Sequence, residues 1–188
     1  MPVDAPVYPV GLVIAGRPCL VVGGGRIAAR KVDGLVACGA RVTVIAPDVV
    51  DAITAQPDVV VVRRPYRRGD LRGFLLVITA TGDAEVDGEV FADAEHSGVW
   101  VNSADDPAHC SFILPAVLRR DPVVVTVSTA GHSPALATWL RDRLAREVGD
   151  DVGDLARRLS ARRDEIHAEG RTTEGMDWAP IIEELARS

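Results

Sequence analysis

The chain has 188 residues, 21 basic against 27 acidic side chains, a net charge of −6 and a hydrophobic fraction of 47%. That length suits one domain with a modest extension, and the apolar fraction excludes wholesale disorder. The acidic balance excludes a broad nucleic-acid surface, which needs clustered basic excess.

Aromatic residues make up only 4% of the chain, so the core must be aliphatic. Cys19, Cys38 and Cys110 lie far apart with no CxxC spacing, the pattern of reduced thiols rather than of a disulfide framework. The apolar stretch Val10–Ala15 is far shorter than the ~20 residues of a membrane span. These features predict a soluble cytoplasmic protein with no membrane or nucleic-acid partner.

From residue 18 onward, short β-branched runs alternate with helical stretches. Strands are predicted over 18–22, 41–46, 59–63, 74–79 and 99–103, with helices over 26–38 and 84–96 between them. Continuous apolar strands separated by helices imply a parallel sheet covered on both faces. Residues 1–112 therefore read as a Rossmann-like, doubly wound α/β domain. Residues 113–147 read as an α+β segment for dimerisation: a helix over 112–118, a strand over 123–128, and a helix capped by Ser133 with Pro134 in its first turn. Leu136, Leu140 and Leu144 fall on one face of that helix. Residues 148–188 read as a small helical domain, with helices over 151–168 and 177–187.

The run Val21-Val22-Gly23-Gly24-Gly25-Arg26-Ile27-Ala28 fits GxGxxG/A, with alanine in the third small position. Gly23 permits the tight strand-to-helix turn, Gly25 lets backbone approach a pyrophosphate, and Ala28 lets helix pack on strand. Because the loop follows a predicted strand and opens a helix, it predicts dinucleotide binding, with helix N–H groups facing phosphate. The acid that should hold the ribose hydroxyls is displaced: Asp48 lies just beyond the second strand, and serves either the ribose or the N-cap of the next helix. No arginine follows this strand, which predicts NAD rather than NADP.

Ligands in open α/β sheets sit beyond the carboxyl ends of the strands. Thr79, Thr81, Asn102, Asp105 and Asp106 are therefore expected near the cofactor. The alternative reading is a small polar turn in which Asp105 or Asp106 caps backbone before Pro107.

The stretches GRPCLVVGGGRIAARKVDGLVACGARVTVIAP, VITATGD, VNSADDPAHCSFILPAVL and VVVTVSTAGHSPALATWLRDRL together resemble the precorrin-2 dehydrogenase family, the dehydrogenase/ferrochelatase module of siroheme synthase. The resemblance covers about residues 7–147. It implies NAD-dependent oxidation of precorrin-2 to sirohydrochlorin, in siroheme or cobalamin biosynthesis, and in some members Fe²⁺ insertion as well. It also implies a homodimer whose small helical domain covers the substrate cleft. The catalytic aspartate of the family's NxxD motif maps onto Asp105, and the NAD contacts map onto Arg26, Ile27, Pro47 and Asp48. With Gly23, Gly25 and Thr81 these form the expected cofactor set; Asn102, His132 and Ser133 form the expected substrate set. The substrate's carboxylates require local cations, for which Arg119, Arg120, Arg141, Arg158 and Arg162 are candidates. No spaced His or Cys set predicts a protein metal site. The competing reading is an NAD-sensing regulatory module without catalysis, which would not need Asp105 in its NxxD setting.

Overall fold

The computed structural model describes residues 6–104 and 106–187, so Asp105 lies outside the described residues. Strands β1 (Pro18–Val22), β2 (Arg41–Ile45), β3 (Val60–Val62), β4 (Leu76–Thr79) and β5 (Trp100–Ser103) form one parallel sheet in the order β3-β2-β1-β4-β5. This is the doubly wound arrangement expected from the alternating pattern.

Side-chain alternation along β1 divides the core into two halves. Cys19 and Val21 face α1 (Arg26–Val36), where Ala28, Val32 and Leu35 pack with Val44, Ile78 and Ile53. Leu20 and Val22 face the opposite side, where Val90 and Ala94 of α3 (Ala84–Ser97) pack with Val77, Val101 and Leu71. Each such aliphatic side chain contributes roughly 1.5–3 kcal/mol on burial, and β1 is buried from Cys19 to Val22 because both faces and both edges are covered. A short helix after β2, α2 (Asp51–Thr54), places Ile53 in the first half-core.

A buried polar lock joins the loop after β3 to α3. The Tyr66 hydroxyl and the Gly69 N–H both donate to Oδ2 of Asp93, and Tyr66 and Asp93 are both buried. Burial works to raise the Asp93 pKa, but the two donors together hold it below the usual carboxylate range. Burial, and then the bond to Asp93, push the Tyr66 phenol up.

Residues up to Leu114, with 130–132, form one unit; 115–129 with 133–188 form a second. The helix expected over 112–118 is absent. Instead β6 (Ala116–Arg120) pairs antiparallel with β7 (Val123–Val127), Ala116 opposite Val127 and Arg120 opposite Val123. The reason is pairing: the Val123–Val127 run needs a ladder partner, and the two-residue Asp121-Pro122 connection supplies one from the preceding residues. The same unit contains α4 (Pro134–Glu147), α5 (Val152–Ala168) and α6 (Ala179–Arg187), with no division at residue 147. Gly153 lets α5 meet the hairpin turn, because a Cβ there would lie 2.2 Å from the Asp121 carbonyl oxygen. Arg157 donates to that same oxygen at 2.8 Å.

Tyr66→Phe is expected to destabilise the protein by about 1–3 kcal/mol, because the buried carboxylate loses a donor. Denaturant unfolding measures this; an unchanged midpoint would contradict the lock. Since the folded Asp93 pKa is depressed, its stabilisation is present above the unfolded carboxylate range and lost as pH falls through the folded value. Tyr66→Phe should therefore flatten the acid limb of the stability profile.

Candidate functional site

The loop after β1 sits between the exits of two neighbouring strands. Gly23, at φ +119°, donates to the Ile45 carbonyl at 3.0 Å, and a Cβ on it would lie 2.3 Å from the Ala80 carbonyl oxygen. A Cβ on Gly24 would lie 1.9 Å from the Asp48 carbonyl oxygen, and the Gly24 carbonyl accepts from Val50 N at 2.9 Å. Gly25 differs: nothing lies within 4 Å of its Cβ position, so its outer side is open. The sequence reading credited Gly23 and Gly25 and missed Gly24, whose middle position in GxG ordinarily carries no demand.

Gly25 is also the N-cap of α1, where no side chain caps the helix and the first turn carries no acid. By contrast, Asp83 caps α3 by accepting from Glu85 N and Val86 N, and Glu85 and Asp87 occupy its first turn. The first N–H groups and positive dipole end of α1 are thus left to an external anion. Arg26 and Ile27 are exposed on this first turn.

A cleft of about 330 Å³ opens beside the loop, lined by Gly24, Gly25, Asp48, Val49, Val50 and Arg63. Pro47 is exposed at the bend before Asp48. Of the two roles open for Asp48, capping is not the one realised: Val50 is the N-cap of α2, without a side-chain bond. Arg63 is not legible from the segment that follows the second strand in sequence. It arrives from β3 through sheet register, since Ile45 pairs with Val62.

Thr81 and Asn102 are brought to the strand ends but are engaged locally. The Thr81 hydroxyl donates to Asp87 Oδ1 at 2.7 Å and accepts from Asp83 N at 3.0 Å, bracing the start of α3. Thr79 is buried, and its hydroxyl donates to Ser103 Oγ at 3.4 Å. Asn102 is buried, and its amide donates to the Phe112 carbonyl at 2.9 Å and to Cys110 Sγ at 3.5 Å. Ser103 N also donates to Cys110 Sγ, and Ser111 Oγ accepts from Val101 N at 2.7 Å. Asn102 therefore folds the following loop back onto β5.

In that loop Asp106 caps a single 3₁₀ turn, Pro107–His109, by accepting from Ala108 N at 3.1 Å. His109 Nδ1 lies 2.6 Å from Asp106 Oδ2, and the imidazole packs on the Phe91 ring at 4.6 Å. The bond from His109, aided by Ala108 N–H, holds the Asp106 pKa below its ordinary value. Burial pushes the Cys110 thiol up.

In the second unit, Ser133 caps α4 as expected, accepting from Leu136 N at 3.2 Å. It follows Ala130 and Gly131, both left-handed at φ 49° and 80°, and the exposed His132. Of the candidate arginines, Arg120 pairs with Asp150, Arg141 with Asp142 and Arg162 with Glu165. Among the described residues no cluster of three His, Cys, Asp or Glu side chains could hold a metal ion. No helix among them is long and apolar enough to cross a membrane.

Residues 10–116 match the family described as "Putative NAD(P)-binding". The chain belongs to this NAD(P)-binding family. It is also 38% identical over 162 residues to a siroheme synthase from Neisseria meningitidis (serogroup C / serotype 2a), covering 85% of this chain and 34% of the relative. A siroheme synthase from Methylococcus capsulatus is 40% identical over 161 residues, with 84% and 34% covered. The chain thus spans about a third of the length of these curated relatives. Among solved structures, SirC, precorrin-2 dehydrogenase, superposes with a TM-score of 0.74 at 28% identity, covering 96% of this chain and 88% of that one. The open cradle at Gly25 and the uncapped α1 fit the nicotinamide dinucleotide that this family implies.

Gly24→Ala and Gly25→Ala should separate the two duties of the loop. The first should lower the melting temperature by several degrees, because its Cβ meets backbone on both the Asp48 and Val49 side. The second should melt near wild type yet bind ADP about tenfold or more weakly, because its Cβ enters ligand space. Thermal melts and ADP titration measure both effects; equal melting temperatures would refute the distinction.

Proposed function

We propose that this chain is an NAD⁺-dependent precorrin-2 dehydrogenase, oxidising precorrin-2 to sirohydrochlorin for siroheme or cobalamin formation. The reading rests above all on one combination: an uncapped glycine-loop helix and an NxxD motif in the same chain, within a fold similar to that of SirC. When bound, the dinucleotide supplies the hydride acceptor. Gly23, Gly25, Arg26 and Ile27 hold its pyrophosphate end, and Pro47 and Asp48 its ribose, with Thr81 bracing the neighbouring turn. Asp105 accepts the proton that the macrocycle loses as the hydride leaves. Asn102, which donates to the Phe112 carbonyl and to Cys110 Sγ, is a positioning residue for the segment after β5, while His132 and Ser133 serve the substrate carboxylates.

Asp105→Ala should reduce turnover by roughly 10²–10⁴-fold with nucleotide binding intact, the range of a lost general base. Asp106→Ala should be milder, since that carboxylate caps the 3₁₀ turn and holds His109. Absorbance of the sirohydrochlorin formed from precorrin-2 and NAD⁺ reports both variants. Reversed severity would overturn the assignment, and no conversion by wild type would favour the NAD-sensing alternative.

NAD⁺ is the preferred cofactor in this reading, because Asp48 opposes a 2′-phosphate; kcat/KM with each cofactor tests it, and a higher value with NADP⁺ would reverse it. The active unit is a homodimer built on residues 113–147. In its support, β6 and β7 pair only with each other among the described residues, and Leu136, Trp139 and Leu144 are exposed along α4. Light scattering should return about twice the 20.0 kDa chain mass. Dehydrogenation is the principal activity and Fe²⁺ insertion weak. Anaerobic incubation of sirohydrochlorin with Fe²⁺, compared with a no-enzyme control, tests that balance.

A further inference from the structure

The cleft beside the glycine loop contains a carboxylate and a guanidinium that do not pair with each other. Arg63 is carried there by register: Ala46 N donates to the Val62 carbonyl at 3.2 Å, so the residue after Val62 leaves the sheet beside Pro47 and Asp48. It lines the same cleft as Gly24, Gly25 and Asp48. The next residue behaves differently. Arg64 is clamped in a two-point contact with Asp70, at 2.6 and 2.9 Å, and also donates to the Pro65 carbonyl. Arg63 is exposed and makes no hydrogen bond or ion pair among the described residues. An arginine fork without a carboxylate partner, facing a nucleotide cleft, is suited to a phosphate.

We propose that Arg63 binds the 2′-phosphate of NADP⁺, so that this site accepts NADP⁺ as a second cofactor and Arg63, set against Asp48, determines the ratio of the two. The inference rests on the dinucleotide reading of the cleft and deepens it. At the end of the second strand, a carboxylate accepts from the ribose hydroxyls and repels a 2′-phosphate. A cation beside it offsets that repulsion, because the two act on the phosphate with opposite sign at similar range. The apolar Val49 and Val50 in the same wall leave the adenine a neutral surface, so Arg63 is not needed to seat the base.

The test is calorimetric titration of the full chain with 2′,5′-ADP and with ADP, for wild type, Arg63→Ala, Arg63→Lys and Asp48→Asn. Arg63→Ala should weaken 2′,5′-ADP by about tenfold or more beyond any weakening of ADP, the scale of one charge-assisted contact. Arg63→Lys should recover part of the loss, and Asp48→Asn should tighten 2′,5′-ADP. The ratio of kcat/KM for NADP⁺ to that for NAD⁺ should fall in Arg63→Ala by a similar factor. Equal weakening of both ligands would overturn the inference, since Arg63 would then contact a part common to both. Wild type that binds ADP but not 2′,5′-ADP would overturn it while leaving the dinucleotide site standing. Binding of neither ligand would instead overturn the reading beneath it.

Discussion

The arrangement depends on a backbone-to-backbone contact. The loop after β1 is pressed between the Ala80 carbonyl at the end of β4 and the Asp48 carbonyl beyond β2, at separations that admit no Cβ on Gly23 or Gly24. The contact draws the exits of three adjacent strands together, and it fixes where α1 begins. Ala28, wholly buried, then seats that helix on the sheet. With its start left uncapped, α1 directs its first N–H groups toward the one side of the loop that stays open, above Gly25. The uncapped, open start of α1 thus follows from packing rather than from any charged side chain.

The end of β5 is governed by another economy of contacts. A loop leaving a buried strand carries polar backbone that must find partners. Asn102, Cys110 and Ser111 provide them, satisfying the Phe112 carbonyl and the N–H groups of Ser103 and Val101. Asp106 and His109 complete the turn against Phe91. Several side chains that look ligand-directed in the sequence therefore form a scaffold. Such a scaffold is what a catalytic carboxylate needs, since a base must be held within hydrogen-bond reach of its proton.

The second unit reaches order by other means. Its hairpin is too small to bury a core by itself, and α5 closes against the hairpin turn through Gly153 and Arg157. Ile166 is buried within the same unit. The leucine face of α4, by contrast, remains largely exposed, and it is Ala137 that turns inward. Helical periodicity locates an apolar stripe but does not say whether the chain's own elements cover it.

What the sequence determined by itself is local and periodic. The five parallel strands, the two long helices between them, the glycine loop and the Ser133 cap were all legible, because alternation, glycine spacing and capping chemistry act over a few residues. The helix expected over 112–118 failed because its apolar residues suit either period, and strand pairing across Asp121-Pro122 decided between them. Only the tertiary structure placed Arg63 in one cleft with Asp48, since that neighbourhood arises from strand order and register between residues fifteen positions apart in the chain. It likewise showed that no Cβ fits at Gly24, and it engaged Asn102 and Thr81 with neighbouring loop and helix-start groups. Steric exclusion and hydrogen-bond satisfaction depend on which atoms meet in space, and spacing along the chain does not encode that.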